Sequence, residues 1–218
     1  MSQFLRATGA GRQHRILSLG RGDGSIELRL AARVAQVVGL DIAGVAIEQA
    51  RAKAAAADAR ILSFAVSDGD SSGMERFGQF DVVAAFALLH HLDDAAVRDI
   101  LLAASKVLRQ GGIFYSADPN RRRLVGYFAG LVRPAYDRYH SPDECELDPD
   151  MLAALAMQAG FRPVIGYADY YLGPLAWLAP GTPGWLVPGL AAVDNLALSM
   201  PFVRRYASSF SLLARVGG

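Results

Sequence analysis

Ile16-Leu17-Ser18-Leu19-Gly20-Arg21-Gly22-Asp23-Gly24, followed by Val37-Val38-Gly39-Leu40-Asp41, decides how this chain is read. An apolar run ends in three alternating glycines. A helical pattern covers 25–35, and a second apolar run stops on a carboxylate. This is a strand, a tight turn, a helix and a second strand. Glycine lets backbone approach a ligand with no Cβ in between. The turn feeds a helix N-terminus, where free N–H groups and the helix dipole favour anionic groups. Asp41 stands where a carboxylate can accept both hydroxyls of a ribose. Together these features point to an adenosine-containing cofactor. Two plainer readings stay open: the glycines serve tight strand-to-helix packing, and Asp41 caps the helix that follows it.

Composition narrows the classes. The 218 residues suffice for one well-buried domain, and a hydrophobic content of 52% argues against disorder. A net charge of +1 predicts no strong attraction to nucleic acid. Lys53 and Lys106 are the only lysines. The single cysteine, Cys145, forms no internal disulfide and fits a reducing, cytoplasmic location. Its neighbours Asp143, Glu144 and Glu146 disfavour the thiolate. Residues 1–15 carry Arg6, Arg12 and Arg15 with no apolar core segment, so no signal sequence is expected. The most apolar region, 172–203, is broken by Pro174, Pro180, Pro183, Pro188 and Pro201, which excludes an uninterrupted spanning helix.

Further strands are predicted over 60–66, 80–86 and 113–117, the fourth being a continuous apolar run of the kind covered on both faces. Alanine-rich 43–57 reads as a helix. Asp93 or Asp94 caps the next helix, which places Val97, Ile100, Leu101, Ala104 and Leu108 on one face and ends at Gly111-Gly112. Asp148-Pro149 opens another, with Leu152, Leu155 and Ala156 inward and Gly160 as its stop. Two last strands, 164–172 and 207–216, pair as an antiparallel hairpin at a sheet edge. Up to residue 117 strand and helix alternate, which predicts a parallel sheet with helices on both faces. Segments 119–147 and 173–206 exceed ordinary loop length. The first leaves the carboxyl end of the fifth strand and overhangs the crevice where open parallel sheets bind ligands. The second is too apolar for a free loop and calls for burial against the domain, a subunit, a lipophilic substrate or a membrane surface.

The glycine spacing is G-x-G-x-G, which differs from the dinucleotide G-x-G-x-x-G. Asp68 follows the third strand, Leu88-Leu89-His90-His91-Leu92 the fourth, and Leu108-Arg109-Gln110-Gly111-Gly112 precedes the fifth. With the terminal hairpin, this set resembles the class I S-adenosylmethionine-dependent methyltransferases of the small-molecule branch. The resemblance implies an α/β, Rossmann-like, doubly wound sheet of seven strands, mostly parallel with an antiparallel last strand. It implies one domain over 1–218, with 119–147 as a lid-like segment and 173–206 as an apolar insertion. Relatives often carry further helices before the first strand. Here that strand starts near residue 15, which leaves the lid role to 119–147 or the site open. Carried over, Gly20, Gly22 and Gly24 line the methionine and ribose part of S-adenosylmethionine, and Asp41 holds the ribose hydroxyls. Asp68 and the Gly69 backbone receive the adenine, and Phe86 and Ala87 lie along the cofactor. Two positions depart from the pattern: Ser18 stands where the family has an acid, and Arg21 where it has a small residue.

Methyl transfer from a sulfonium needs collinear acceptor, methyl and sulfur in a shielded pocket, and no metal. A hydroxyl or acidic-carbon acceptor also needs a base. His90 or His91 is the catalytic candidate, histidine being the side chain that changes charge near neutral pH; Asp118 and His140 are weaker ones. The expected reaction is methylation of a small, lipophilic acceptor. The basic and aromatic residues from Arg121 to His140 read as a solvated helical lid or a substrate cover. A nicotinamide-dependent reductase is the first rival, although no Tyr stands four residues before Lys53 or Lys106 to give a Tyr-x-x-x-Lys dyad. The second is a degenerate methyltransferase fold serving as a partner subunit.

Overall fold

The computed structural model describes residues 1–20, 22–67, 71–124, 147–169 and 181–217. Seven strands form one sheet: β1 (Arg15–Leu19), β2 (Gln36–Asp41), β3 (Leu62–Val66), β4 (Phe80–Phe86), β5 (Leu108–Pro119), β6 (Phe161–Ala168) and β7 (Ser209–Val216). Their order is β3-β2-β1-β4-β5-β7-β6. β1 to β5 are mutually parallel, and β7 runs antiparallel to both β5 and β6. The expected sheet is therefore present, with β6 at the edge of the terminal hairpin. Strand order reverses between β1 and β4, so the crevice lies beyond the carboxyl ends of these two strands.

The helices are α1 (Ser2–Thr8), α2 (Ser25–Ala31), α3 (Gly44–Ala56), α4 (Ser71–Glu75), α5 (Asp94–Val107), α6 (Pro149–Gln158) and α7 (Val187–Ser199). The central strands are buried on both faces, as continuous apolar runs require. One core face packs α5 and α6 through Val97, Ile100, Leu101, Ala104, Leu152 and Ala156. The opposite face gathers Ile16, Leu30, Val37 and Val82 around Phe4 of α1. Asp93 caps α5 by accepting the Ala96 N–H at 2.8 Å, and Asp148 caps α6.

One element boundary needs correction. α5 ends at Val107, and Leu108 already belongs to β5, paired with Phe80. Gly111 at φ 73° and a register shift between Phe80 and Val82 let the strand bend through the glycine pair that was read as a helix stop. Residues 1–14 hold α1, whose Phe4 ring meets Phe86 and Tyr115 edge-on, each at 5.1 Å. Part of the apolar segment 173–206 is regular: α7 is flanked by 3₁₀ turns at Gly184–Leu186 and Val203–Tyr206. Most of the lid-like segment, 125–146 with His140, lies outside the described residues, as do 173–180.

Candidate functional site

A cavity of about 360 Å³ opens at the switch point. The end of β1 contributes Leu19 and Gly20, the turn Gly22, and the end of β2 Leu40 and Asp41. Beyond β4 it is bounded by Ala87, Leu88 and His91. Gly20 and Gly22 have φ of 63° and 49°, in the left-handed region that glycine enters without strain. A Cβ on Gly20 would lie 2.5 Å from Leu88 Cδ1, so Leu88 packs directly on the turn. Ala87 holds φ 48° with no glycine freedom, a conformation costing on the order of 1 kcal/mol. Its N–H donates to the Ala117 carbonyl at 2.8 Å, which fixes the strained turn where β4 leaves the sheet.

Asp41 lies at the cavity and is held by two backbone N–H groups. Its Oδ2 accepts the Gly22 N–H at 2.7 Å and its Oδ1 accepts the Ala43 N–H at 2.9 Å. The carboxylate thus ties the glycine turn to the start of α3 while lining the cavity. A carboxylate has about four lone-pair directions, so each oxygen keeps capacity for a hydroxyl donor. Outside the turn, Asp23 pairs with Lys53, and the Lys53 and Ser25 hydrogen bonds hold its carboxyl down to about 2. Gly24 has a different task. Its φ is 74°, and a Cβ there would lie 2.8 Å from Ala50 Cβ, so this glycine serves packing of the turn on α3. Phe86 packs in the α1 cluster and is not among the residues lining the cavity. Asp68, Gly69 and Arg21 lie outside the described residues, although Ser67 reaches the cavity.

Ser18 is fully buried, and its hydroxyl donates to Glu27 Oε1 at 2.7 Å. Glu27, on the inner face of α2 with Leu30, is a buried carboxylate behind the turn. Sequence reading passed over it; the signal was its three-residue spacing from Leu30.

The two histidines separate. His90 is 5% exposed, and its Nδ1 lies 3.1 Å from Asp118 Oδ1 at the end of β5. His91 is exposed and lines the cavity. The rings lie 4.1 Å apart between centroids. The Asp118 carboxylate therefore orients His90, and His90 backs the ring that faces the cavity. Among the described residues no group of three His, Cys, Asp or Glu side chains is placed to hold a metal ion.

This geometry joins a glycine turn, a strand-end carboxylate and an apolar-lined cavity at one switch point. Residues 16–112, the span that builds it, match a methyltransferase domain family. The chain is thus similar to S-adenosylmethionine-dependent methyltransferases. It is 29% identical over 154 residues to a ubiquinone biosynthesis O-methyltransferase of Bordetella bronchiseptica, covering 68% of this chain and 62% of that protein. A ubiquinone biosynthesis O-methyltransferase of Acinetobacter baylyi is 25% identical over 177 residues, 76% of this chain and 71% of its own. The chain thus spans 62% of the length of the first of these relatives. Among solved structures, a SAM-dependent methyltransferase from Archaeoglobus fulgidus superposes with a TM-score of 0.65 at 16% identity, covering 98% of this chain and 90% of that one. Magnesium protoporphyrin IX methyltransferase from Synechocystis, solved with bound SAH, gives 0.62 at 15% identity, with 99% and 80% covered. At these identities the superpositions speak for the fold.

Proposed function

We propose that this protein transfers a methyl group from S-adenosylmethionine to a small, lipophilic acceptor. The observation that carries the reading is the single cavity wall shared by Gly20, Gly22, Asp41 and His91. When bound, S-adenosylmethionine supplies an electrophilic methyl on a sulfonium. Gly20 and Gly22 give it a Cβ-free wall, and the remaining lone pairs of Asp41 take the ribose hydroxyls. Ser67 flanks the adenine end, and the sequence expectation for Asp68 and Gly69 belongs to the same reading. Leu19, Leu40 and Leu88 would give the sulfonium an apolar surround, which suits the loss of its charge on transfer.

His91 takes the acceptor proton in this reading, because it is the histidine at the cavity. His90 is its buried support, and Asp118 is a positioning residue that acts through His90. The relatives named as ubiquinone biosynthesis O-methyltransferases support an oxygen acceptor on a quinone-like, lipophilic molecule. They lend no support to a nicotinamide-dependent reductase or a degenerate partner subunit. One domain over 1–218, a covering role for 119–147, a contact role for 173–206 and a cytoplasmic site of action belong to the same reading. No helix among the described residues is long and apolar enough to cross a membrane.

Calorimetry with S-adenosylhomocysteine, joined to transfer of labelled methyl from S-adenosylmethionine to lipophilic phenols, tests the proposal. Binding is expected, and Asp41→Ala should weaken it on the order of 100-fold, since two charge-assisted contacts go. His91→Ala should lower turnover by about 10²–10⁴-fold with affinity intact. No heat at millimolar ligand rejects the cofactor. Full turnover in both His91→Ala and His90→Ala rejects the base.

A further inference from the structure

We propose that the outward face of 185–206 docks on an anionic lipid surface. The segment is built inside out. Between residues 170 and 203 the sole charged residue is Asp194, and the fold buries it. The large apolar side chains point the other way: Trp185 is 77% exposed, Leu196 63% and Phe202 82%. Val193, Leu196 and Met200 recur at three- and four-residue spacing, so they form one exposed stripe along α7. The small residues Ala197 and Ala207 face inward, packed with Tyr167, Leu198 and Val203. A contiguous apolar stripe of this kind marks a contact surface.

Charge selects the occupant. The exposed charges following the stripe are Arg204 and Arg205, and neither has a carboxylate partner among the described residues. Two copies meeting through this face would bring four guanidinium groups together, because a two-fold interface repeats the same patch on both sides. Lipid phosphates supply the missing anions. Trp185, Phe202 and Tyr206 are the residue types that settle at a membrane–water boundary. At 13 residues α7 is about 20 Å long, short of a bilayer core, and therefore suited to lying in the boundary plane.

The surface is also tied to the catalytic edge. Asn120, two residues beyond Asp118, donates from Nδ2 to the carbonyls of Arg205 at 2.9 Å and Ala207 at 2.8 Å. A docked molecule would thus hold the carboxyl end of β5 close to the lipid, where a lipophilic acceptor concentrates. The docking itself stands apart from the methyl-transfer reading, and its test does not use turnover.

The full chain is sedimented with vesicles of phosphatidylcholine alone or mixed equally with phosphatidylglycerol, across a salt series. Binding to the mixed vesicles is expected, weakening with salt and on the order of tenfold or more lower on phosphatidylcholine. Arg204→Ser with Arg205→Ser should remove the salt-dependent part. Trp185→Ser with Phe202→Ser should abolish sedimentation while the melting temperature stays unchanged, which shows that the fold is intact. Absence of binding to mixed vesicles overturns the proposal, as does wild-type sedimentation by either double variant. A dimeric mass by light scattering that Trp185→Ser with Phe202→Ser converts to monomer, without vesicle binding, assigns the face to a second copy and overturns it too.

Discussion

α1 and α7 are both short helices laid outside the sheet, and they are built in opposite senses. α1 turns its one aromatic ring inward: Phe4 is buried against Phe86 and Tyr115, while Arg6 stays outside. α7 turns its acid inward and its apolar stripe outward. The partner of α1 is thus the chain itself, whereas the apolar face of α7 stays exposed among the described residues. The difference extends to the halves they belong to. Along β1 and β4 the apolar residues lie inside, and around α7 large ones lie outside.

The largest stability loss should therefore come from α1. Phe4→Ala removes a fully buried ring with two edge-on aromatic contacts and should cost about 3–5 kcal/mol. A melting temperature lower on the order of 10 °C is expected. An unchanged melting temperature would mean that α1 contributes no packing, and the contrast with α7 would disappear.

Gly24→Ala comes next, and it sharpens the same point within the glycine turn. Its Cβ would press on Ala50 at 2.8 Å in a left-handed conformation. The cost should be about 2–4 kcal/mol. At Gly22 a Cβ meets nothing within 4 Å, so Gly22→Ala should cost about 1 kcal/mol. Equal losses in thermal unfolding would show that Gly24 is not a packing glycine.

How far the sequence could be read follows from these contrasts. β1 and β4 were legible to the residue, because a continuous apolar run between polar ends has one reading in a parallel sheet. The caps at Asp93 and Asp148 were legible because their chemistry is local. α1 was missed because seven residues with one phenylalanine give no period. The early start of β5 was missed because Gly111-Gly112 breaks a helix and bends a strand equally well. At the site, the position of the glycine turn and Asp41 was readable. What could not be read was long-range pairing: Asp118 with His90, 28 residues apart, and Ser18 with Glu27. The division between a buried and a cavity-facing histidine also depends on such contacts, since adjacent residues carry no label for which side faces in.

A smaller effect is expected at α6, where the half of the molecule around β6 and β7 is anchored. Asp148 accepts N–H groups at the helix start and pairs with Arg122 at 2.8 Å. Burial pushes its carboxyl up, but the hydrogen bonds from Asp150, Arg122 and Met151 outweigh this and hold it below the usual range. A depressed carboxylate stabilises the fold above its unfolded value, and the contribution fades as pH falls through the folded one. Asp148→Ala should cost about 1–2 kcal/mol at neutral pH, and the gap to wild type should close below about pH 4. A gap that persists in acid denaturation curves would assign the loss to packing instead of charge.

The smallest effect belongs to the surface of α7 and its flanks. Trp185→Ser with Phe202→Ser replaces two large side chains, yet both are more than three-quarters exposed and bury little against the fold. Stability should shift by no more than about 0.5 kcal/mol in either direction. The comparison with Phe4 is then direct: one ring whose loss unsettles the molecule, and two whose loss it barely registers. Serine at these positions also lowers exposed apolar area, so the variant should stay soluble at higher concentration than wild type. A melting temperature lowered by several degrees would mean that Trp185 and Phe202 are covered by the chain in solution. α7 would then be an ordinary buried helix, and the opposition between the two ends of the molecule would be lost.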